Sequence, residues 1–212
     1  MSSEVNLSRN ADSQAAGAPT AHRTYRIEET RVGDPGRDGI ERFVAERFAA
    51  VHGARVGRFM PALLGLQDWR GTLRCALGYR PAAGEALFLE QYLDQPIELA
   101  IRDACRGDAV PAPVERQRIV EVGHLAGRGC RAALHLVAQL PRFLVARGYD
   151  WITFTATLRV REVLATFDAP LLDLGPADPA RLRLRDDDWG RYYDTQPRGM
   201  AGRLTHGLRI DR

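Results

Sequence analysis

The residues best suited to chemistry are concentrated in 119-IVEVGHLAGRGCRAAL-134, where a strand-like apolar run carries Glu121 and leads into a Gly-Arg-Gly turn. In an extended strand successive side chains alternate between faces, so Glu121 sides with Ile119 and Gly123, and His124 with Val120 and Val122. A carboxylate between two valines is expected to be at least partly buried. Burial raises its pKa, which suits a general base for an amine or for water, or else a structural carboxylate held by an arginine. The turn Gly127-Arg128-Gly129 opens a helix at Cys130. Helix-start N–H groups lack intrahelical partners and favour an anion, so a phosphate could lie there beside Arg128 and Arg131, with Leu125 just ahead. The bland alternative is a glycine that merely turns the chain. Cys130 has no His-Asp partner pattern beside it, so a thiol nucleophile is not expected.

A second group lies in 87-LFLEQYLDQPIE-98, where Glu90, Asp94 and Glu98 surround Tyr92. Three acids could orient a cationic or amino-bearing substrate; a solvated edge, or Asp94 as a helix cap, serves equally well. Thr153, Thr155 and Thr157 alternate along 151-WITFTAT-157, either as packing or as hydroxyls facing a cleft. Trp189, Tyr192 and Tyr193 in 188-DWGRYYDTQP-197 either line a ligand pocket or cover a sheet edge. His124 reads as a partly buried histidine beside the glycine turn, and Trp69 as a wall for an apolar pocket.

Positioning these groups requires a mixed set of elements. Strands are expected over 24–31, 71–82, 86–93, 119–126, 151–157 and 169–175, with 71–82 and 86–93 as antiparallel neighbours. Helices are expected over 39–54, 94–106, from Cys130 onward, and over 159–168. Asp94 would cap the second helix. Ala133, Leu134, Val137 and Leu140 would lie on one face of the third, with Pro141 kinking or breaking it. Pro61 argues against a regular element in VGRFMPALLG. The order is that of an α/β (α+β) domain with a mixed sheet flanked by helices. Residues 1–22 read as a disordered tail ahead of a single domain over 23–212, with no signal-peptide pattern.

All 30 basic residues are arginine, which excludes a lysine Schiff base and a Walker-type phosphate lysine. The net charge of +3 has no dense basic block behind it, so nucleic acid is not expected as a partner. Three widely spaced cysteines suggest reduced thiols in a cytoplasmic protein, and neither CxxC nor HxxxH offers a metal site. The chain has no apolar run near the roughly 18 residues that span a bilayer, so stable membrane insertion is not expected.

Residues 119–147 resemble the acyl-donor segment of GCN5-related N-acetyltransferases (GNATs), whose glycine-rich turn holds the acyl-CoA pyrophosphate at a helix start. In the frame Ala126-Gly127-Arg128-Gly129-Cys130-Arg131, Gly129 matches that pattern and the two ends depart from it. The strand also looks like that of acyl-homoserine-lactone synthases, where Glu121 matches a glutamate while Gly123 and His124 replace a serine and an arginine. RFMPALLG, LFLEQYLDQPIE, RIVEVGHLA, WITFTAT and WGRYYDTQP, in this order over about residues 25–203, resemble the thermostable-haemolysin family.

The resemblance implies a GNAT-like acyltransferase fold with a mostly antiparallel sheet. It implies transfer of a fatty acyl group from acyl-CoA or acyl carrier protein to a small-molecule amine, giving an amphiphilic product. In that reading Glu121 is the base or amine anchor, Glu90 and Asp94 orient the acceptor, and the 125–131 turn holds the donor. Trp69, His124, Thr155, Thr157, Trp189, Tyr192 and Tyr193 then bind substrate. The alternatives are a directly membrane-active haemolysin and a non-catalytic acyl-donor-binding protein.

Overall fold

The computed structural model describes residues 25–105, 113–167, 170–182 and 188–204. The expected tail at 1–22 lies outside the described residues. Strands β1 (Arg26–Arg31), β2 (Ala62–Gln67), β3 (Leu73–Pro81), β4 (Ile119–Gly127), β5 (Trp151–Ala156), β6 (Leu171–Pro176) and β7 (Arg198–Arg203) form one sheet in the order β1-β2-β3-β4-β5-β7-β6. Helices are α1 (Arg37–His52), α2 (Ile97–Ala104), α3 (Cys130–Val145) and α4 (Leu158–Leu164). Every pairing is antiparallel except β4 with β5. Those two are joined through α3, since parallel neighbours need a crossover.

The two faces of the sheet carry different cores. On one, α3 presents Ala132, Leu136, Leu140 and Leu144 to Leu64, Leu77, Val120 and Val122. On the other, Ile40, Phe43, Val44 and Phe48 of α1 cover Leu63, Ala76 and Ala126. Beside them Ile97 and Ile101 of α2 meet Leu89, Ile119 and Ala201. Arg37 is buried at the start of α1, donating to the carbonyls of Met60 (2.9 Å) and Pro61 (3.0 Å) and to Glu41 (2.7 Å). It thereby fixes the segment that leads into β2.

Several sequence expectations are corrected. Residues 86–93 are not a strand: Leu89–Tyr92 is a 3₁₀ turn, and β3 pairs with β2 and β4 instead. Side chains hold this turn, because Glu90 accepts the N–H of Leu87 (2.8 Å) and Glu121 accepts those of Phe88 (2.9 Å) and Leu89 (2.8 Å). A strand does form immediately after Pro61, so the proline borders β2 rather than excluding it. β7 follows the strand that was expected to be last, and pairs on both sides. Asp94 caps nothing: α2 begins after Pro96, and Asp94 pairs with Arg181.

α3 continues unbroken through Pro141, its Leu136–Leu140–Leu144 stripe keeping both halves packed on the sheet. Its buried face is that stripe with Ala132, whereas Leu134 is exposed.

Candidate functional site

The candidate site lies at the place where β4 and β5 part. Their parallel pairing runs from Ile119↔Trp151 to Val122↔Phe154 and stops. Beyond it β4 follows β3 as far as Gly127, while β5 follows β7 as far as Ala156. The two central strands therefore splay apart, leaving a wedge without a ladder between them.

A bulge in β4 sits at the apex. Gly123 pairs with Gly78 and Ala126 with Ala76, so the single Leu77 faces both His124 and Leu125. His124 takes up the extra residue with φ 55, a left-handed conformation uncommon outside glycine. Regular alternation would place His124 on the α3 face with Val122. The bulge turns it to the α1 face instead, where its ring lies 5.6 Å from that of Phe59 and 6.3 Å from that of Phe48.

A cavity of about 1660 Å³ occupies the wedge and reaches both faces of the sheet. On the α3 side its wall is apolar, with Leu125, Val137, Leu140, Pro141, Phe154, Val160 and Leu164. On the α1 side the wall is aromatic, with Phe48, Phe59, Phe88, Trp189, Tyr192 and Tyr193, together with His124 and Glu121. The rings pack against one another at a tilt; Trp189 lies 5.7 Å from Phe88 and 5.5 Å from Tyr192. The hydroxyls of Tyr92 and Tyr193 are 2.6 Å apart. Burial, together with this bond to Tyr193, pushes the Tyr92 phenol up.

Glu121 is 2% exposed on β4, and its oxygens accept the Phe88 and Leu89 N–H groups. Burial pushes its pKa up, against Arg80 at 3.4 Å and the two amides. Glu90 is the opposite case. Burial raises it, but two bonds from Arg116 and the N–H groups of Ile97 and Leu87 hold it below the ordinary carboxylate value. Arg116 also binds Glu98 at 2.8 Å. The three acids of 87–98 are therefore dispersed: Glu90 and Glu98 clamp Arg116, and Asp94 pairs with Arg181. All three still border the cavity.

At the end of β4, Gly129 (φ 98) precedes α3 without a side-chain cap, and the first-turn N–H groups of a helix have no intrahelical partner. The Arg128 N–H is already committed to the Arg74 carbonyl at 2.8 Å. Its guanidinium turns towards α1, 5.5 Å from the Phe43 ring and 3.9 Å from Glu46. Cys130 and Arg131 are exposed at the first turn of α3. Gly127, Gly129, Cys130 and Arg131 lie past the wedge and are not among the residues that line the cavity.

Thr155 lines the cavity, as does Thr157, whose hydroxyl caps α4 by accepting the Val160 N–H. Trp69 stands apart: it is 62% exposed, with Arg70 over its ring at 4.3 Å, away from the cavity. Phe48, Phe59, Phe88 and Arg80 join the site without having been singled out in the sequence; each reads there as ordinary core or strand composition. Among the described residues no group of His, Cys, Asp and Glu could hold a metal ion, and no helix is long and apolar enough to cross a membrane.

Comparison with known proteins fits this geometry. FeeM, an N-acyl amino acid synthase from uncultured soil microbes, superposes with a TM-score of 0.56 at 14% identity, covering 86% of this chain and 92% of its own. The acyl-homoserine-lactone synthase LasI gives 0.53 at 12% identity, covering 90% and 99%. TofI in its apo form gives 0.54 at 10% identity, covering 84% and 91%. At these identities the likeness establishes the fold, which is the GNAT-like acyltransferase fold expected from the sequence. No curated protein matches the chain. The family model described as Thermostable hemolysin matches residues 30–208. With most of its length so matched, the chain belongs to the thermostable hemolysin family.

Proposed function

We propose that the protein is an N-acyltransferase that moves a fatty acyl group from a thioester donor, acyl-CoA or acyl carrier protein, to a small-molecule amine. The observation that carries this reading is the cavity through the β4–β5 wedge, apolar on one face of the sheet and aromatic on the other. A linear acyl chain suits the α3-side chamber, because burying each methylene contributes about 0.8 kcal/mol. The amine acceptor occupies the aromatic chamber, and the thioester carbon lies in the wedge between them. The amine nitrogen attacks that carbon, the C–S bond breaks, and the products are an amide and a free thiol.

In this reading the uncapped start of α3 holds the phosphate on the pantetheine arm through the N–H groups of Gly129, Cys130 and Arg131. The Arg131 side chain adds charge, with Arg128 at the edge and Gly127 and Leu125 shaping the approach. Glu121 holds the 88–89 backbone that walls the acceptor chamber, and its carboxylate faces the incoming amine. Glu90, Asp94, Thr155 and Thr157 border the same opening, and Trp189, Tyr192 and Tyr193 enclose the acceptor. The reaction takes place in the cytoplasm, where both donors are made. An acylated amine is amphiphilic, which connects the activity to a lytic phenotype through the product.

The reading is tested by incubating purified protein with acyl-CoA and acyl carrier protein thioesters of graded length and a panel of amino acids and alkyl amines. Mass spectrometry then looks for amides. Lysis of red cells by the protein with no acyl donor present would replace this reading with a directly membrane-active one.

A further inference from the structure

We propose that His124 is the group that takes the proton from the attacking amine, an inference that rests on the acyltransferase reading above. Glu121 is the obvious candidate by residue type, yet both of its oxygens hold backbone N–H groups and Arg80 lies 3.4 Å away. Its position serves the wall of the chamber. His124 sits differently. It comes two residues after Val122, the last β4 residue paired with β5, so its backbone is at the apex of the wedge where a thioester carbon would lie.

Two local features are spent on presenting this ring. The first is the bulge with φ 55, which moves the imidazole from the α3 face to the acceptor face. Conformations of this kind persist where the surroundings impose them, and they concentrate at functional positions. The second is Gly78 on the facing strand, where a Cβ would crowd Met60 (2.9 Å), Leu63 (3.0 Å) and His124 Nδ1 (3.2 Å). The missing side chain leaves room for the ring beside these two core residues. His124 lines the cavity from this position. As the C–N bond forms, the imidazole accepts a proton from the amine nitrogen. The thiolate leaves with the C–S electron pair and is protonated from solvent or by the imidazolium, which restores neutral His124.

The left-handed backbone makes glycine the least disruptive replacement, and H124G leaves a ring-sized hole between Phe48 and Phe59. The full-length protein is assayed with dodecanoyl-CoA, or the dodecanoyl carrier-protein thioester, and the amine panel. H124G and H124Q are each expected to transfer roughly 100-fold more slowly or worse, the range for losing a general base. Added imidazole restores transfer to H124G, whereas pyrazole, of the same size but far less basic, does not. Equal rescue by both azoles would reduce His124 to a packing residue and overturn the proposal. So would H124Q working at the wild-type rate, a result that also decides the matter if H124G does not fold. Product from wild type with an unaffected H124Q removes this inference alone; no product from wild type removes the acyl-transfer reading together with it.

Discussion

His124 lies on the opposite face of the sheet from Val122, although residues two apart in a strand normally share a face. The single left-handed residue in the bulge produces this inversion. It follows that stability at position 124 depends on tolerance of φ 55 more than on size. Asparagine, which accepts the left-handed region, is expected to cost under about 1 kcal/mol as His124→Asn, whereas His124→Val is expected to cost about 2 kcal/mol. Chemical denaturation of the two variants checks the difference.

Val137 is half-buried on α3 and faces the apolar chamber. Enlarging it as Val137→Phe fills space that an acyl tail would use. Donor preference is expected to move to shorter chains, with discrimination against the longest accepted chain rising about 10-fold or more. Relative kcat/KM across a thioester length series measures this. Fold stability is expected to change little, since the ring enters a cavity and not a packed core.

The Glu121 carboxylate fastens the 3₁₀ turn to β4 through two backbone amides. Glu121→Gln leaves one of those N–H groups facing an amide nitrogen that cannot accept. A cost of about 1–3 kcal/mol in stability is expected, together with loosening of 87–93 visible by hydrogen exchange. Acyl transfer should fall with it, because the acceptor wall moves.

Glu90 governs behaviour in acid. Its folded pKa lies below the ordinary 4.5, so it stabilises the fold fully above that value and loses the contribution as pH falls through the folded pKa. Glu90→Gln is expected to be less stable at neutral pH by about 1–3 kcal/mol, because Arg116 loses a partner in a half-buried site. Its melting temperature should fall less steeply than that of wild type between pH 4.5 and the acid transition. Parallel melting curves across that range would contradict the assignment.

Gly129 precedes α3 at φ 98 and ψ 153, a conformation close to glycine-only. Gly129→Ala is expected to strain the turn by about 1–3 kcal/mol and to weaken binding of an acyl-CoA more than binding of an amine. Calorimetric titration with acyl-CoA checks the effect.

What the sequence reveals follows from how local each signal is. The β4–turn–α3 segment was readable because alternation, glycines and helical periodicity coincide within sixteen residues. β2 escaped because Ala62–Leu66 is buried on both faces and has no alternation, while Pro61 beside it suggests irregular chain. β7 escaped because Arg198–Arg203 carries two glycines and no β-branched residue; its pairing comes from β5 and β6 on either side. The 3₁₀ turn at 89–92 reads as strand because the continuous apolar run Ala86-Leu87-Phe88-Leu89 leads into it, and the carboxylates that curl it act partly from β4, 32 residues away. The face of His124 depended on a bulge whose register is set by the pairing of β4 with β3, which no spacing within β4 reveals. Trp69 suits an apolar wall by residue type alone, and it stands on the surface.

The central claim is most directly tested by following thiol release and amide formation in one reaction of the purified protein with long-chain acyl thioesters and the amine panel. The account predicts thiol and amide appearing in a one-to-one ratio, only when donor and acceptor are both present, with Val137→Phe shifting the preferred chain length downward. Thiol release without amide, or no dependence on an amine across all donors, would contradict it.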